Sequence, residues 1–339
     1  MTAPPGPGGR GLPVVVVLDR PEGSAALDVA GPLGVEVDLV DLDAVPEAER
    51  SAVFERARAV VVDLRQVDAA LIGRLSNCGL IAEFGVGVDN IDVDAATRAG
   101  IRVVAVPDYC VEELADHTLA LILSLTRGIH RFAAATAAGS WDYRSAGRLH
   151  RSSATAVGVV GYGRVGRAVE ARLSAIGFDT VACDPFQPDA TDAAGRPFMA
   201  LPELLATVDV VTLHCPLTPQ SRHLIGAAQL AAMKPSAFLV NTARGGLVDQ
   251  AALTRALLDR QVAGAALDVL DTEPPNVDLE LPRLPNVIVT PHAGFYSQES
   301  LRQLHVSVFD EVGRFLRDRP PRNPVNHPAQ PGAAAKEIR

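Results

Sequence analysis

Ala154–Pro185 reads ATAVGVVGYGRVGRAVEARLSAIGFDTVACDP. A β-branched run leads into Gly161-x-Gly163-x-x-Gly166, an amphipathic helical pattern follows, and a second apolar run ends at Asp184. A glycine triplet alone is a weak signal in a chain with 28 glycines. Its place between a strand and a helix narrows the reading to a dinucleotide-binding corner. Gly161 permits the tight turn, Gly163 lets the backbone approach a pyrophosphate, and Gly166 lets helix and strand pack closely. The pyrophosphate sits where unpaired helix N–H groups favour negative charge. Asp184 is placed to bond a ribose 2′-hydroxyl. The following PFQPD has no arginine for a 2′-phosphate, so NAD is expected over NADP. A glycine-rich corner holding no ligand is the plainer alternative.

The same alternation runs through the rest of the chain. Strands are expected at Val14–Leu18, Val35–Val40, Ala59–Asp63, Leu80–Phe84 and Ile101–Val106, with helices at Glu47–Ala57, Asp68–Leu75 and Val93–Ala99. A long helical stretch begins near Val111 and places Leu114, His117, Leu121, Ile122 and Leu125 at helical spacing. A second series of strands follows at Ala156–Val160, Thr180–Cys183, Val210–His214, Phe238–Asn241, Ala265–Val269 and Val287–Thr290. The last helix, Gln298–Leu316, precedes no third sheet and is expected to return to the first. The fold class is α/β, with two doubly wound parallel-sheet (Rossmann-like) domains. Residues 1–11 and 328–339 read as disordered tails.

Composition removes several function classes. The formal charge of −9 argues against nucleic acid or an anionic membrane as partner. All but two of the 31 basic residues are arginine, which leaves Lys234 and Lys336 as the candidates for Schiff-base chemistry. The cysteines, Cys78, Cys110, Cys183 and Cys215, form no CxxC pair and fit a reducing, cytoplasmic compartment. The eight histidines are dispersed without metal-ligand spacing, so no metal is expected. No apolar run reaches membrane-spanning length.

Three polar residues follow later strands, where open α/β sheets bind ligands: Arg244 in NTARGG, Glu273 in DTEPP and His292 in PHAGF. Each alone reads as a solvated arginine, a loop acid or a hydrogen-bonded histidine. Together they supply what reduction of a 2-oxo acid requires. Arg244 can hold the carboxylate and polarise the ketone, His292 can donate the proton, and Glu273 can favour the charged imidazole.

The motifs GVGVDNID, VEELADHTLALIL, GVVGYGRVGRAV, TLHCPLTPQSRHLI, NTARGGLVD, GAALDVLDTEPP and TPHAGFYS stand in this order. In them the chain resembles the D-isomer-specific 2-hydroxyacid dehydrogenase family, nearest to its C-terminal-binding-protein and phosphoglycerate dehydrogenase branch. The resemblance implies a discontinuous substrate domain, 1–110 and 298–327, and an inserted NAD-binding domain, 111–297, with an interdomain cleft. It implies NADH as reductant and a 2-oxo or 2-hydroxy acid as substrate, with Arg244, Glu273 and His292 catalytic. Gly161, Tyr162, Gly163, Arg164, Val165, Gly166, Asp184, His214, Cys215, Pro216, Thr242, Ala243, Thr118 and Gly294 would line the cofactor. Asp268 would contact its nicotinamide amide. A homodimer built through the region near Asp116–Ala138 is also implied. An NADH-binding sensor or scaffold with little turnover is the alternative. Phe295 stands where the C-terminal-binding branch commonly has tryptophan, and no corepressor feature is recognisable.

By the same resemblance, the N–H groups of Val86 and Gly87 receive the substrate carboxylate opposite Arg244, while Asp89 and Asp92 cap the following turn and helix. Many relatives carry arginine at the position of Glu83. Glu83 either turns away or pairs with a nearby arginine, or it faces the substrate. At about 6 Å and an effective dielectric near 20, two like charges repel by roughly 2–3 kcal/mol. In the substrate-facing case Glu83 disfavours phosphorylated or dicarboxylate substrates. Glu83→Arg should then raise kcat/KM for doubly anionic 2-oxo acids relative to singly charged ones. An unchanged preference across a substrate panel would leave Glu83 with a structural role.

Overall fold

The computed structural model describes residues 12–19, 30–184, 187 and 190–328. The expected tails therefore lie outside the described residues, apart from Pro328. The chain divides into two compact units: the described residues up to Tyr109 together with those from Ser297 onward, and Cys110–Tyr296.

In the first unit, strands β1 (Val14–Val17), β2 (Asp38–Asp41), β3 (Ala57–Val62), β4 (Leu80–Glu83) and β5 (Arg102–Val104) form a sheet of order β2-β1-β3-β4-β5. All its pairs are parallel. A parallel sheet covered on both faces needs continuous apolar strands, and the four valines of β1 are all buried. The strand expected at Val35–Val40 forms instead at Asp38–Asp41, because pairing of Val14 with Asp38 sets its register and Gly34 turns the chain at φ +61°. The expected helix Glu47–Ala57 becomes a 3₁₀ turn, Glu47–Glu49, followed by a helix at Arg50–Arg56. Ala57 leaves the helix to pair with Val14.

Helix starts follow their caps. Asp68 accepts from Leu71 N–H at 2.8 Å, and Asp92 accepts from Ala95 N–H at 2.8 Å. The helix Gln298–Leu316 begins at Ser297 and packs against β4. Gly313 allows this helix to approach Leu33, since a Cβ there would lie 2.1 Å from the Leu33 carbonyl oxygen. Asn326 then fastens the chain end to β5. Its side chain accepts from Val103 N–H at 2.7 Å and donates to the Ile101 carbonyl at 3.0 Å.

In the second unit, β6 (Ala156–Val160), β7 (Asp179–Cys183), β8 (Val210–Leu213), β9 (Phe238–Asn241), β10 (Gly264–Leu267) and β11 (Val287–Val289) form a parallel sheet of order β11-β10-β9-β8-β6-β7. The connections leave β6 in one direction to β7 and return to its other side at β8. This reversal creates a crevice at the carboxyl ends of the strands. The long helical stretch after Val111 is two helices, Val111–Thr126 and Ile129–Ala137. They are separated by Gly128 at φ +64°, where a Cβ would lie 2.6 Å from that of Ala146. Leu121, Ile122 and Leu125 of the first helix are buried with Val157, Val159, Val240, Val169 and Leu173. Each fully buried leucine or isoleucine contributes roughly 1.5–3 kcal/mol relative to exposure.

Candidate active site

The glycine corner meets the steric demands of its motif. Gly161 adopts φ +93°, and a Cβ there would fall 2.6 Å from the His214 carbonyl carbon. Gly166 lies on the helix Arg164–Ala175, and a Cβ there would fall 2.1 Å from the Gly161 carbonyl oxygen. Gly163 caps that helix and has no atom within 4 Å of its would-be Cβ. The corner therefore presents open space at a helix N-terminus, which suits a pyrophosphate. Arg164 and Val165 form the first turn, and Val165 packs against the core beneath.

Asp184, buried at the end of β7, accepts from the Tyr162 N–H at 3.1 Å and from Gln187 Nε2 at 3.4 Å. Tyr162 donates its hydroxyl to Glu170 and accepts from Ala193 N–H at 2.7 Å. Burial, reinforced by the Glu170 acceptor, pushes this phenol up to about 12, so it stays protonated.

His214 and Cys215 follow β8 against Gly161. Burial pushes His214 down to about 3, leaving a neutral imidazole bonded through Nε2 to Thr212 Oγ1 at 3.0 Å. Burial pushes the Cys215 thiol up to about 12, which makes it a packing residue and not a nucleophile. The exposed Pro216 offers its carbonyl to Ser221 Oγ at 2.7 Å. Thr118 and Thr242, both buried, bond through their hydroxyls at 2.9 Å.

After β9, Asn241 shapes the loop carrying Arg244. Its Oδ1 accepts from Ala243 N–H at 3.1 Å, and its Nδ2 donates to the Arg244 carbonyl at 2.9 Å. Arg244 is half-buried and donates through Nη1 to the Ala243 carbonyl at 2.9 Å. A Cβ on Gly245 would lie 2.0 Å from the Leu270 carbonyl, so this loop abuts the one that leads to Glu273.

Glu273 and His292 are joined directly. His292 Nδ1 lies 2.6 Å from Glu273 Oε2, while Glu273 Oε1 accepts from Leu270 N–H at 2.7 Å. The carboxylate is thus pinned, and it engages the His292 ring through Nδ1. The His292 side chain is 34% exposed, so a substrate can reach it. His292 takes a left-handed φ of +52°, a conformation that costs of order 1–3 kcal/mol outside glycine.

Asp268 holds that loop. Its backbone carbonyl accepts from His292 N–H at 2.8 Å. Its carboxylate accepts from Thr290 Oγ1 at 2.5 Å, Ala293 N–H at 2.9 Å and Gly294 N–H at 2.8 Å. His117 Nε2 lies 3.3 Å from Asp268 Oδ1 and 3.1 Å from Thr290 Oγ1. Burial raises the Asp268 carboxyl, but bonds from His117, Thr290, Ala293 and Gly294 outweigh it and hold the group below the usual carboxylate range.

Sequence reasoning did not single out Asn241, Thr290 or Thr212, and it placed His117 only at helical spacing. Thr290 and His117 are far from Asp268 in sequence, so no local pattern announces their contact. Asn241, three residues before Arg244, was available as a polar residue closing an apolar strand.

Glu83, Val86 and Gly87 lie in the first unit. Glu83 is 3% exposed, and its Oε2 accepts from Asn90 Nδ2 at 3.1 Å. Asn90 Nδ2 also donates to the carbonyls of Asp63 at 2.9 Å and Arg65 at 3.3 Å. Glu83 is therefore built into the turn that carries Val86, itself 45% exposed.

A glycine corner, a strand-end acid and a histidine–carboxylate pair after later strands define a dinucleotide-binding α/β protein equipped for proton transfer. Residues 119–294 match the model of the D-isomer specific 2-hydroxyacid dehydrogenase, NAD binding domain. The chain is 39% identical over 268 residues to D-3-phosphoglycerate dehydrogenase of Methanocaldococcus jannaschii, covering 78% of this chain and 51% of that protein. It is 35% identical to glycerate dehydrogenase of Methylorubrum extorquens, covering 79% of this chain and 85% of the relative. The crystal structure of D-lactate dehydrogenase from Aquifex aeolicus, complexed with NAD and lactic acid, superposes with a TM-score of 0.82 at 28% identity, over 93% of this chain and all of that one. The chain belongs to the D-isomer-specific 2-hydroxyacid dehydrogenase family, and it spans about half the length of the phosphoglycerate dehydrogenases it matches.

The state of Asp268 predicts an acid dependence. Its folded value lies below the ordinary one, so the ionised group contributes stability that is fully present above the ordinary carboxylate value, about pH 4, and is lost as pH falls through the folded value. Asp268→Asn should be less stable than wild type at neutral pH. Its urea midpoint should also fall less steeply than that of wild type on titration below about pH 4. Parallel acid limbs for the two proteins would contradict the assignment.

Proposed function

We propose that the chain is an NAD-dependent oxidoreductase interconverting a 2-oxo acid and a D-2-hydroxy acid. The observation that carries this reading is the 2.6 Å contact of His292 Nδ1 with Glu273 at the strand ends of a dinucleotide-binding sheet. Bound NADH supplies the hydride for C2. His292 Nε2 gives a proton to the carbonyl oxygen and takes it back in the reverse direction. Glu273 holds the imidazole in one orientation through Nδ1. Arg244 clamps the substrate carboxylate and polarises the ketone. In the first unit, Val86 and Gly87 would offer backbone N–H groups to a substrate, in a turn that Glu83 and Asn90 hold. The residues drawn as cofactor-lining keep those roles, with Asp184 the ribose acid and Asp268 set beside the nicotinamide amide.

Relatives named as phosphoglycerate, glycerate and (S)-sulfolactate dehydrogenases support small 2-hydroxy acids as the substrate class, and favour turnover over a sensor role. The unit Cys110–Tyr296 would serve the cofactor, and the discontinuous unit the substrate. Four free cysteines support a cytoplasmic setting.

His292→Ala should lower kcat at least ~100-fold on any accepted 2-oxo acid while leaving the Kd for NADH within about twofold. NADH oxidation against a panel of 2-oxo acids, with fluorescence titration of the cofactor, measures both. Wild-type turnover in the variant would defeat the reading.

The homodimer is part of the same proposal. Helix Ile129–Ala137 buries none of its residues, and Ile129, Trp141 and Tyr143 are 57%, 93% and 85% exposed. Large apolar side chains left this exposed in one stretch of chain are suited to a protein interface. Sedimentation should give twice the 35.6 kDa chain mass, and Trp141→Glu should shift the protein toward monomer. A monomeric wild-type protein would remove this part of the proposal.

A further inference from the structure

The residue between the first two glycines of the corner is a tyrosine, and its two ends are tied to different parts of one segment. The Tyr162 N–H donates to Asp184 Oδ2 at 3.1 Å. The Tyr162 hydroxyl, at the other end of the side chain, accepts from the N–H of Ala193 at 2.7 Å and donates to the buried Glu170. Ala193 belongs to a tight turn closed by Gly195 N–H on the Asp192 carbonyl at 3.0 Å, with Thr191 bridging Pro197. The Asp192 carboxylate stiffens that turn by accepting from Ala194 N–H at 2.9 Å and Arg196 N–H at 2.8 Å. The turn is therefore a small rigid body, and Tyr162 links it to the glycine corner.

Arg196 anchors the same turn from the other side. Its Nε lies 2.6 Å from Asp192 Oδ2, its Nη2 lies 3.5 Å from Glu170 Oε1, and it donates to Thr180 Oγ1 at 3.2 Å. These contacts engage its guanidinium near the start of β7, whereas Asp184 stands at the end of that strand. Arg196 is thus committed to structure and is not offered to a 2′-phosphate.

We propose that Tyr162 is a positioning residue for the adenosine half of the dinucleotide, holding the turn at 192–196 and the Asp184 carboxylate on the same corner that receives the pyrophosphate. Ribose and pyrophosphate are a fixed covalent distance apart, so their two receptors must be fixed relative to each other as well. The Tyr162 backbone and side chain together supply that constraint. A cofactor with a free 2′-hydroxyl fits it, and one with a 2′-phosphate meets the Asp184 charge. The inference rests on the reading of Asp184 as the ribose acid.

The Ala193–Tyr162 bond can be removed from either end in the full-length protein. Tyr162→Phe deletes the hydroxyl. Ala193→Pro deletes the N–H at the second position of its turn, a place that favours proline. Each variant should weaken ADP-ribose binding by about 3- to 10-fold in calorimetry, and the KM for NADH should rise in step. The double variant should be no weaker than Tyr162→Phe alone, because the hydroxyl that the Ala193 N–H meets is then already gone. Binding of reduced nicotinamide mononucleotide should be unchanged. Wild-type ADP-ribose affinity in both single variants, additive losses in the double variant, or an equal loss for the mononucleotide would each overturn the proposal. Asp184→Ala separates the two levels. If it alone loses ADP-ribose affinity, the ribose acid stands and the role of Tyr162 falls. If it binds ADP-ribose like wild type, the ribose reading fails and takes the inference with it.

Discussion

The chemistry proposed for this chain depends on one buried carboxylate. Asp268 is 1% exposed and stays ionised because donors surround it: a hydroxyl, two backbone N–H groups and the His117 imidazole. An isolated charge in such a place costs several kcal/mol, so each donor is held as firmly as the carboxylate itself. Three of these donors, Thr290, Ala293 and Gly294, belong to the loop that carries His292. The stabilisation of one charge therefore offsets the left-handed backbone at His292 and fixes the direction from which its side chain reaches Glu273. The geometry of the His292–Glu273 pair thus follows from satisfying Asp268.

The glycine corner works by exclusion. Gly161 leaves room for the His214–Cys215 backbone, Gly166 leaves room for the Gly161 carbonyl, and Gly245 leaves room for Leu270. The first and last of these bring the ends of neighbouring strands closer than a side chain permits, and the second does so for the helix and the turn before it. The strand ends of one sheet thus become a continuous surface of backbone and short polar groups. Polar side chains then finish it: Asn241 for the Arg244 loop, Thr118 with Thr242 beneath it, and Asp268 for the His292 loop.

The fold was legible because period is local. Helix Gln298–Leu316 and strands Ala156–Val160 and Phe238–Asn241 fall where their patterns place them. Departures occur where a distant partner decides. β2 starts late because Val14 pairs with Asp38, and the helix after Val111 breaks where Gly128 must clear Ala146. Arg244, Glu273 and His292 stood out because each is a polar residue just after an apolar strand. The contact between Glu273 and His292 spans a strand, and the one between His117 and Asp268 spans most of the unit. Such pairings depend on sheet order, which residue spacing does not carry.

Glu83 shows how one side chain can tie a turn to the loop beside it. Its carboxylate is fixed by Asn90, whose amide also binds the carbonyls of Asp63 and Arg65 in the neighbouring loop. The N–H groups of Asp63, Leu64 and Arg65 are in turn taken by the Asp19 carboxylate. Both sides of that loop are thereby saturated, and Glu83 closes the network at the turn bearing Val86 and Gly87. A mobile surface carboxylate would be screened and would swing away from an approaching anion. A buried side chain held in a network cannot swing away, so the place of Glu83 beside the turn is fixed.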